Sequence, residues 1–74
     1  MRYHERIRAL REDSDLTQNN LAAILGVAQT TYSQYELGKR PLPIECLCKL
    51  CDYYETNADY ILGRTDNAEP PVKR

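Results

Sequence analysis

Leu16-Thr17-Gln18-Asn19-Asn20-Leu21-Ala22-Ala23-Ile24-Leu25-Gly26-Val27, and further on Tyr35-Glu36-Leu37-Gly38-Lys39-Arg40-Pro41, decide how this chain is read. Thr17 has the character of a helix N-cap, with apolar Leu16 before it and Leu21, Ala22, Ile24 and Leu25 spaced for one buried face after it. A Glu at position 20 would complete a capping box, and Asn20 leaves a weaker one. Gly26 ends the helix after roughly two and a half turns, as a C′ glycine does. Val27-Ala28 forms a short turn into a second helix, Gln29 to Glu36, which Gly38 stops in turn. Ala28 is a poor N-cap, so this helix starts with little local help.

Working outward, Tyr3, Ile7 and Leu10 fall on one stripe of an earlier helix that runs to about Asp13 and is broken by Ser14-Asp15. After the pair, Lys39-Arg40-Pro41-Leu42-Pro43 is a loop, because its two prolines forbid helix continuation while Pro43 suits a helix start. Ile44, Leu47, Leu50, Cys51 and Tyr54 then trace a broad apolar face of a fourth helix. Thr56-Asn57 caps a short fifth helix, Ala58 to Leu62, closed by Gly63. The expectation is an all-α, compact five-helix domain over 1–63, followed by a flexible tail over 64–74 that contains Pro70-Pro71.

Composition limits the chemistry open to such a chain. With 74 residues it has room for one small domain, and 42% apolar with 28% charged residues is an ordinary globular mixture. Phe and Trp are absent, so six Tyr supply all the aromatic bulk. Apolar runs are far short of a membrane span and Met1 to Arg6 is not a signal segment, which points to a soluble, cytoplasmic protein with no membrane partner. Three cysteines at 46, 48 and 51 are an odd number for a disulfide framework and lack a fourth zinc ligand, the one His being the distant His4. They read as reduced structural thiols, with Cys51 in the core, Cys46 facing solvent and Cys48 at the edge. No metal, cofactor or nucleophile–base pair is called for, and an enzyme is the remotest reading.

The net charge of −1 argues against indiscriminate nucleic-acid binding, but its distribution is uneven. Residues 1–11 carry +3 and 12–15 carry −3, and 44–62 is again −3, whereas Glu36, Lys39 and Arg40 are the only charges between 16 and 43. Within that nearly uncharged third, Tyr32 and Tyr35 fall on the inward side of the second helix of the pair, with Ala28 and Glu36 near them. Gln29, Thr30, Ser33 and Gln34 face outward. Such amides and hydroxyls either form a solvated polar face or read base edges in a major groove, where Gln matches adenine N6 and N7. Thr17 and Gln18 at a helix start, and Lys39 and Arg40 beyond the next helix end, would bracket that face as two phosphate clamps. Glu36, on the inward side, calls for a partner, and Arg11 of the first helix is the candidate for an ion pair.

The quoted stretches resemble the helix-turn-helix of the Cro/C1 repressor family, also called XRE-like. The likeness runs from about Arg6 to Gly63, taking in Ile7-Arg8-Ala9-Leu10-Arg11 and Asn57-Ala58-Asp59-Tyr60-Ile61-Leu62-Gly63. It implies a lambda-repressor-like five-helix fold whose third helix enters the major groove. By position it implies base contacts from Gln29, Thr30 and Gln34 with Ser33 beside them, phosphate contacts from Gln18, Lys39 and Arg40, and a buried Arg11–Glu36 pair. Ala28, Asn20 and Leu37 depart from the family pattern, which often has a capping Ser or Thr, a Glu and an Asn there.

The function expected is a sequence-specific transcriptional regulator, a repressor of bacterial or phage origin, acting as a homodimer on a pseudo-palindromic duplex operator. The alternative is an antitoxin or protein-binding adaptor on the same fold, using the acidic 44–62 surface, Tyr53 and the tail. Tyr54 and Tyr60 are expected to close the core, and His4 to be an exposed terminal residue.

Overall fold

The computed structural model describes residues 1–71 and runs through α1 (Tyr3–Asp13), α2 (Gln18–Leu25), α3 (Gln29–Glu36), α4 (Ile44–Tyr54) and α5 (Ala58–Ile61), with no strand among the described residues. Every helix contributes one fully buried side chain to a single core: Ile7, Leu21, Tyr32, Leu50 and Ile61 in chain order. Ala22 and Leu25 of α2 and Tyr35 of α3 complete the contact between these two helices, the most extensive pairing in the fold. Ala22 has little side chain to hold the helices apart, so they approach closely. Tyr32 and Tyr35 meet edge to face, with ring centroids 6.4 Å apart.

The helix ends share one backbone device. Each helix closes with paired hydrogen bonds of the Schellman type, such as Lys39 N–H to the Gln34 carbonyl (2.9 Å) and Gly38 N–H to the Tyr35 carbonyl (3.2 Å) at the end of α3. Glycine occupies the left-handed position after α2, α3 and α5, whereas Asp15 (φ 57°) and Glu55 (φ 52°) occupy it after α1 and α4. At the start of α2, Thr17 Oγ1 accepts from Asn20 N–H at 3.1 Å and Asn20 Oδ1 accepts from Thr17 N–H at 2.9 Å. Asn20 therefore closes a full capping box in place of the weaker one its side chain predicts. Asn57 caps α5 by accepting from Tyr60 N–H at 2.7 Å.

Several sequence readings change. On α4 the buried stripe is centred on Leu50, which sets Cys46 about 40° from its axis and Ile44 about 120° away. Cys46 is accordingly buried, Cys51 is half-buried, Cys48 is exposed, and Ile44 is 78% exposed. Ala28 faces solvent because it is the N-cap, with extended backbone, and lies outside the helical wheel. Leu62 is the cap after α5 and not its last turn. His4 is half-buried: its ring lies against Gly38, where a β-carbon would come within 3.1 Å of it. The φ of +73° favours glycine at 38, and a β-carbon there would press the His4 ring by a few tenths of an ångström.

The segment after Gly63, expected as a flexible tail, turns back over the α4–α5 corner. Thr56 Oγ1 donates to the Ala68 carbonyl at 2.7 Å, and Asn57 Nδ2 donates to the Asn67 and Glu69 carbonyls at 2.9 and 2.7 Å. Thr56 and Asn57, polar residues at a helix start, offer the donors that the tail carbonyls lack locally. The last three positions of the predicted tail, 72–74, lie outside the described residues. Tyr54 packs on the core, and Tyr60 lies under the Arg6 guanidinium at 4.1 Å from the ring centre.

Candidate nucleic-acid interface

Arg11 reaches from α1 to the C-terminal turn of α3 and grips Glu36 with a two-pronged fork, Nε to Oε2 at 2.7 Å and Nη2 to Oε1 at 3.1 Å. Its remaining prong donates to the Leu16 carbonyl at 3.0 Å, so one guanidinium ties together α1, the entry to α2, and α3. Burial works to raise the Glu36 carboxyl, but the Arg11 fork, then the neighbouring Tyr32 hydroxyl and Gln18 amide, outweigh it and hold it below its ordinary value. Tyr32 approaches this carboxylate without closing an aligned hydrogen bond. Its own hydroxyl is pushed far up by burial and then by the Glu36 charge, so it stays protonated.

From Glu36 the network continues outward. Gln18 Nε2 donates to Glu36 Oε1 at 3.2 Å, and Gln29 Nε2 donates to Gln18 Oε1 at 2.8 Å. The side chain at the start of α2 is thus positioned by the buried ion pair, and it in turn positions the first side chain of α3. A second coupling closes the other end, where Arg40 Nε donates to Gln34 Oε1 at 2.9 Å. The Schellman turn at Gly38 brings this about, because it reverses the chain so that Arg40 lies back over the last turn of α3.

Exposed Thr30 and half-exposed Ser33 and Gln34 lie on the side of α3 away from Tyr32 and Tyr35, and exposed Gln29 projects from its N-terminal end. Lys39 and Arg40 are exposed beyond one end of this face, and Thr17 and the half-exposed Gln18 stand at the other. Thr17 Oγ1 accepts the cap hydrogen bond, which leaves its O–H free to donate outward. The sequence reading named these side chains singly and missed two features. One is the pairing of Gln18 with Gln29 and of Gln34 with Arg40. The other is His4, which backs Gly38 immediately before Lys39. The glycine after α3 was the available signal for the reversal that brings Arg40 to Gln34, and nothing local announces His4.

The surface holds an uncharged patch of amide and hydroxyl groups between two sets of phosphate-compatible donors, on a helix that stands on its own buried tyrosines. The patch suits base edges, since it has acceptors and donors side by side, and its flanks suit a polyanionic backbone. Among the described residues no helix is long and apolar enough to cross a membrane.

The helix-turn-helix family profile matches residues 7–61. The chain is 39% identical over 72 residues to the uncharacterised HTH-type transcriptional regulator YobD of Bacillus subtilis, a match covering 97% of this chain and 64% of that protein. It is 37% identical over 60 residues to the HTH-type transcriptional regulator AnsR of the same organism, covering 81% of this chain and 52% of AnsR. A transcriptional repressor of a cryptic phage of Vibrio cholerae, RstR, is 33% identical over 64 residues, covering 86% of this chain and 57% of RstR. The chain thus spans between about half and two thirds of the length of these relatives. A transcriptional regulator from Listeria innocua shares the fold at a TM-score of 0.82 and 24% identity, over 89% of this chain and 62% of that one. With the profile spanning α1 to α5, the chain belongs to the helix-turn-helix family, in its Cro/C1 (XRE) type.

Proposed function

We propose that this domain is the DNA-reading part of a cytoplasmic transcriptional repressor and that it binds a pseudo-palindromic duplex as a homodimer. The observation that carries the reading is the outward face of α3, uncharged, hydrogen-bonding and flanked by donors at both ends. In this role α3 lies in the major groove, Gln29, Thr30, Ser33 and Gln34 meet base edges, and Thr17, Gln18, Lys39 and Arg40 meet phosphates. The buried pair of Arg11 and Glu36 positions the reading helix, and the side chains serve binding and not catalysis.

The charge supports a homodimer: a domain with net charge −1 and few phosphate contacts gains useful affinity by placing two copies on half-sites about 34 Å apart. Selection of bound duplexes from a random pool tests the reading. Enrichment of a two-fold symmetric sequence with half-sites one turn apart is expected, and recovery of unenriched DNA overturns it. The adaptor reading has one observation in its favour, the half-exposed Tyr53 on the acidic α4 surface. Stoichiometric co-purification of a basic protein without DNA retention would mark it as the right one.

A further inference from the structure

Cys48 and Cys51 stand apart from the DNA-facing surface and have no role in the reading above. They are three residues apart on α4, about 60° apart around its axis, and both line a half-open groove of about 670 Å³ with Leu47, Asp52, Glu55, Thr56, Pro70 and Pro71. Cys46 is turned about 160° from Cys48 and buried in the core. We infer that Cys48 and Cys51 form a two-coordinate site for a soft monovalent cation of the copper(I) class.

Helix geometry decides between the products open to this dithiol. Side chains three apart on a helix have β-carbons about 5–6 Å apart, whereas a disulfide needs about 3.5–4.5 Å. A disulfide would therefore have to draw the two β-carbons about 1 Å or more closer than regular helix sets them, against an α4 that is continuous and anchored by fully buried Leu50. A single bridging cation with metal–sulfur bonds comparable to the ~2.3 Å of zinc–thiolate bonds spans the wider gap with the helix intact.

The donor set then selects the cation. Soft thiolates favour copper(I), zinc or iron–sulfur clusters, and the last two demand four ligands. Among the described residues no group of three or more His, Cys, Asp or Glu is placed to hold a metal, which leaves the ion content with two sulfurs. The returning segment favours that low coordination number. Pro70 and Pro71 cover one side of the groove, held by the hydrogen bonds from Thr56 to Ala68 and from Asn57 to Glu69. Binding is a ligand exchange: both thiols give their protons to the buffer, the cation leaves its carrier, and no electron is transferred.

The test is an anaerobic titration of the reduced 74-residue chain against copper(I) held by bicinchoninate, whose colour reports the copper it loses. One equivalent per chain is expected to leave the chelator. Cys48→Ser and Cys51→Ser are each expected to weaken retention about 100-fold or more, because one thiolate lacks the second at high effective concentration. Cys46→Ala, its folding checked by circular dichroism, is expected to retain the equivalent. Failure of the folded chain to withdraw copper would overturn the inference, as would half an equivalent bridging two chains. Full retention by the double variant C48S/C51S would overturn it too, as would equal loss in a folded Cys46→Ala protein.

Discussion

Glu36 sits at the end of α3 with its carboxylate closed in by Arg11, Gln18 and Tyr32, so its ionised form is held by the fold itself. Its carboxyl lies below the ordinary 4.5, and the unfolded chain therefore takes up the proton first as acid is added. The stability from this group is complete above that ordinary value and is lost as pH falls through the lower folded value. Glu36→Gln is expected to destabilise by about 3 kcal/mol at neutral pH, near the low end for a broken buried pair because Arg11 stays in partial reach of water. The melting-temperature gap between wild type and variant should then narrow as pH is lowered below 4.5. A gap constant with pH would show that the carboxylate charge is not what matters.

The coupling of Arg40 to Gln34 changes what each substitution should do. Gln34→Ala is expected to lower discrimination at one base step by about 1–3 kcal/mol with little effect elsewhere. Arg40→Ala should weaken every sequence, as loss of a phosphate contact does, and also broaden preference at the Gln34 step by releasing its amide. Titrations on operator variants separate the two. Equal weakening across all variants from Arg40→Ala would show that the pair is not maintained on DNA.

Among the elements, the ends hold the local weaknesses. Ala28 has the extended backbone of an N-cap (ψ 151°) and makes no side-chain cap, so α3 starts with an unsatisfied donor that a hydroxyl would meet. Ala28→Ser is expected to stabilise by about 1 kcal/mol. Glu55 holds a left-handed conformation at φ 52°, where a side chain carries a steric cost, and Glu55→Gly is expected to stabilise by a similar amount. For a domain this small each gain should raise the melting temperature by about 4–8 °C, measurable by thermal circular dichroism. A fall on Glu55→Gly would show that the Glu55 side chain contributes more than its backbone costs.

At the scale of the molecule, extents of 35 × 23 × 23 Å make one copy about as long as a turn of duplex, a size compatible with the homodimer proposed above. Lys39 and Arg40 are the cations flanking the outward face of α3, and Thr17 and Gln18 offer neutral donors on its other flank. The logarithm of the binding constant should therefore fall with the logarithm of salt with a slope of only about −2 per domain. Anisotropy titrations between low and moderate salt would read it. A slope twice as steep would mean that the arginines of α1 also meet the backbone.

The helix order, the outward polar face of α3 and the need for a partner at Glu36 are all legible in the chain, because each rests on local spacing: caps, glycine stops and a hydrophobic period. The weight of α4 was misplaced from the same information. The stripe Ile44, Leu47, Leu50, Cys51 and Tyr54 is apolar, but which of its sides is buried depends on where α2 and α5 lie, and packing centred it on Leu50 and drew in Cys46. Ser14-Asp15 marked the end of α1, but Glu55 ended α4 without glycine, so propensity left no mark of its left-handed turn. His4 against Gly38, Arg40 against Gln34, and residues 67–69 against Thr56 and Asn57 were decided by the tertiary structure alone. Local periodicity sets which faces are apolar, whereas contacts between residues distant in sequence depend on how the helices and turns are placed in space.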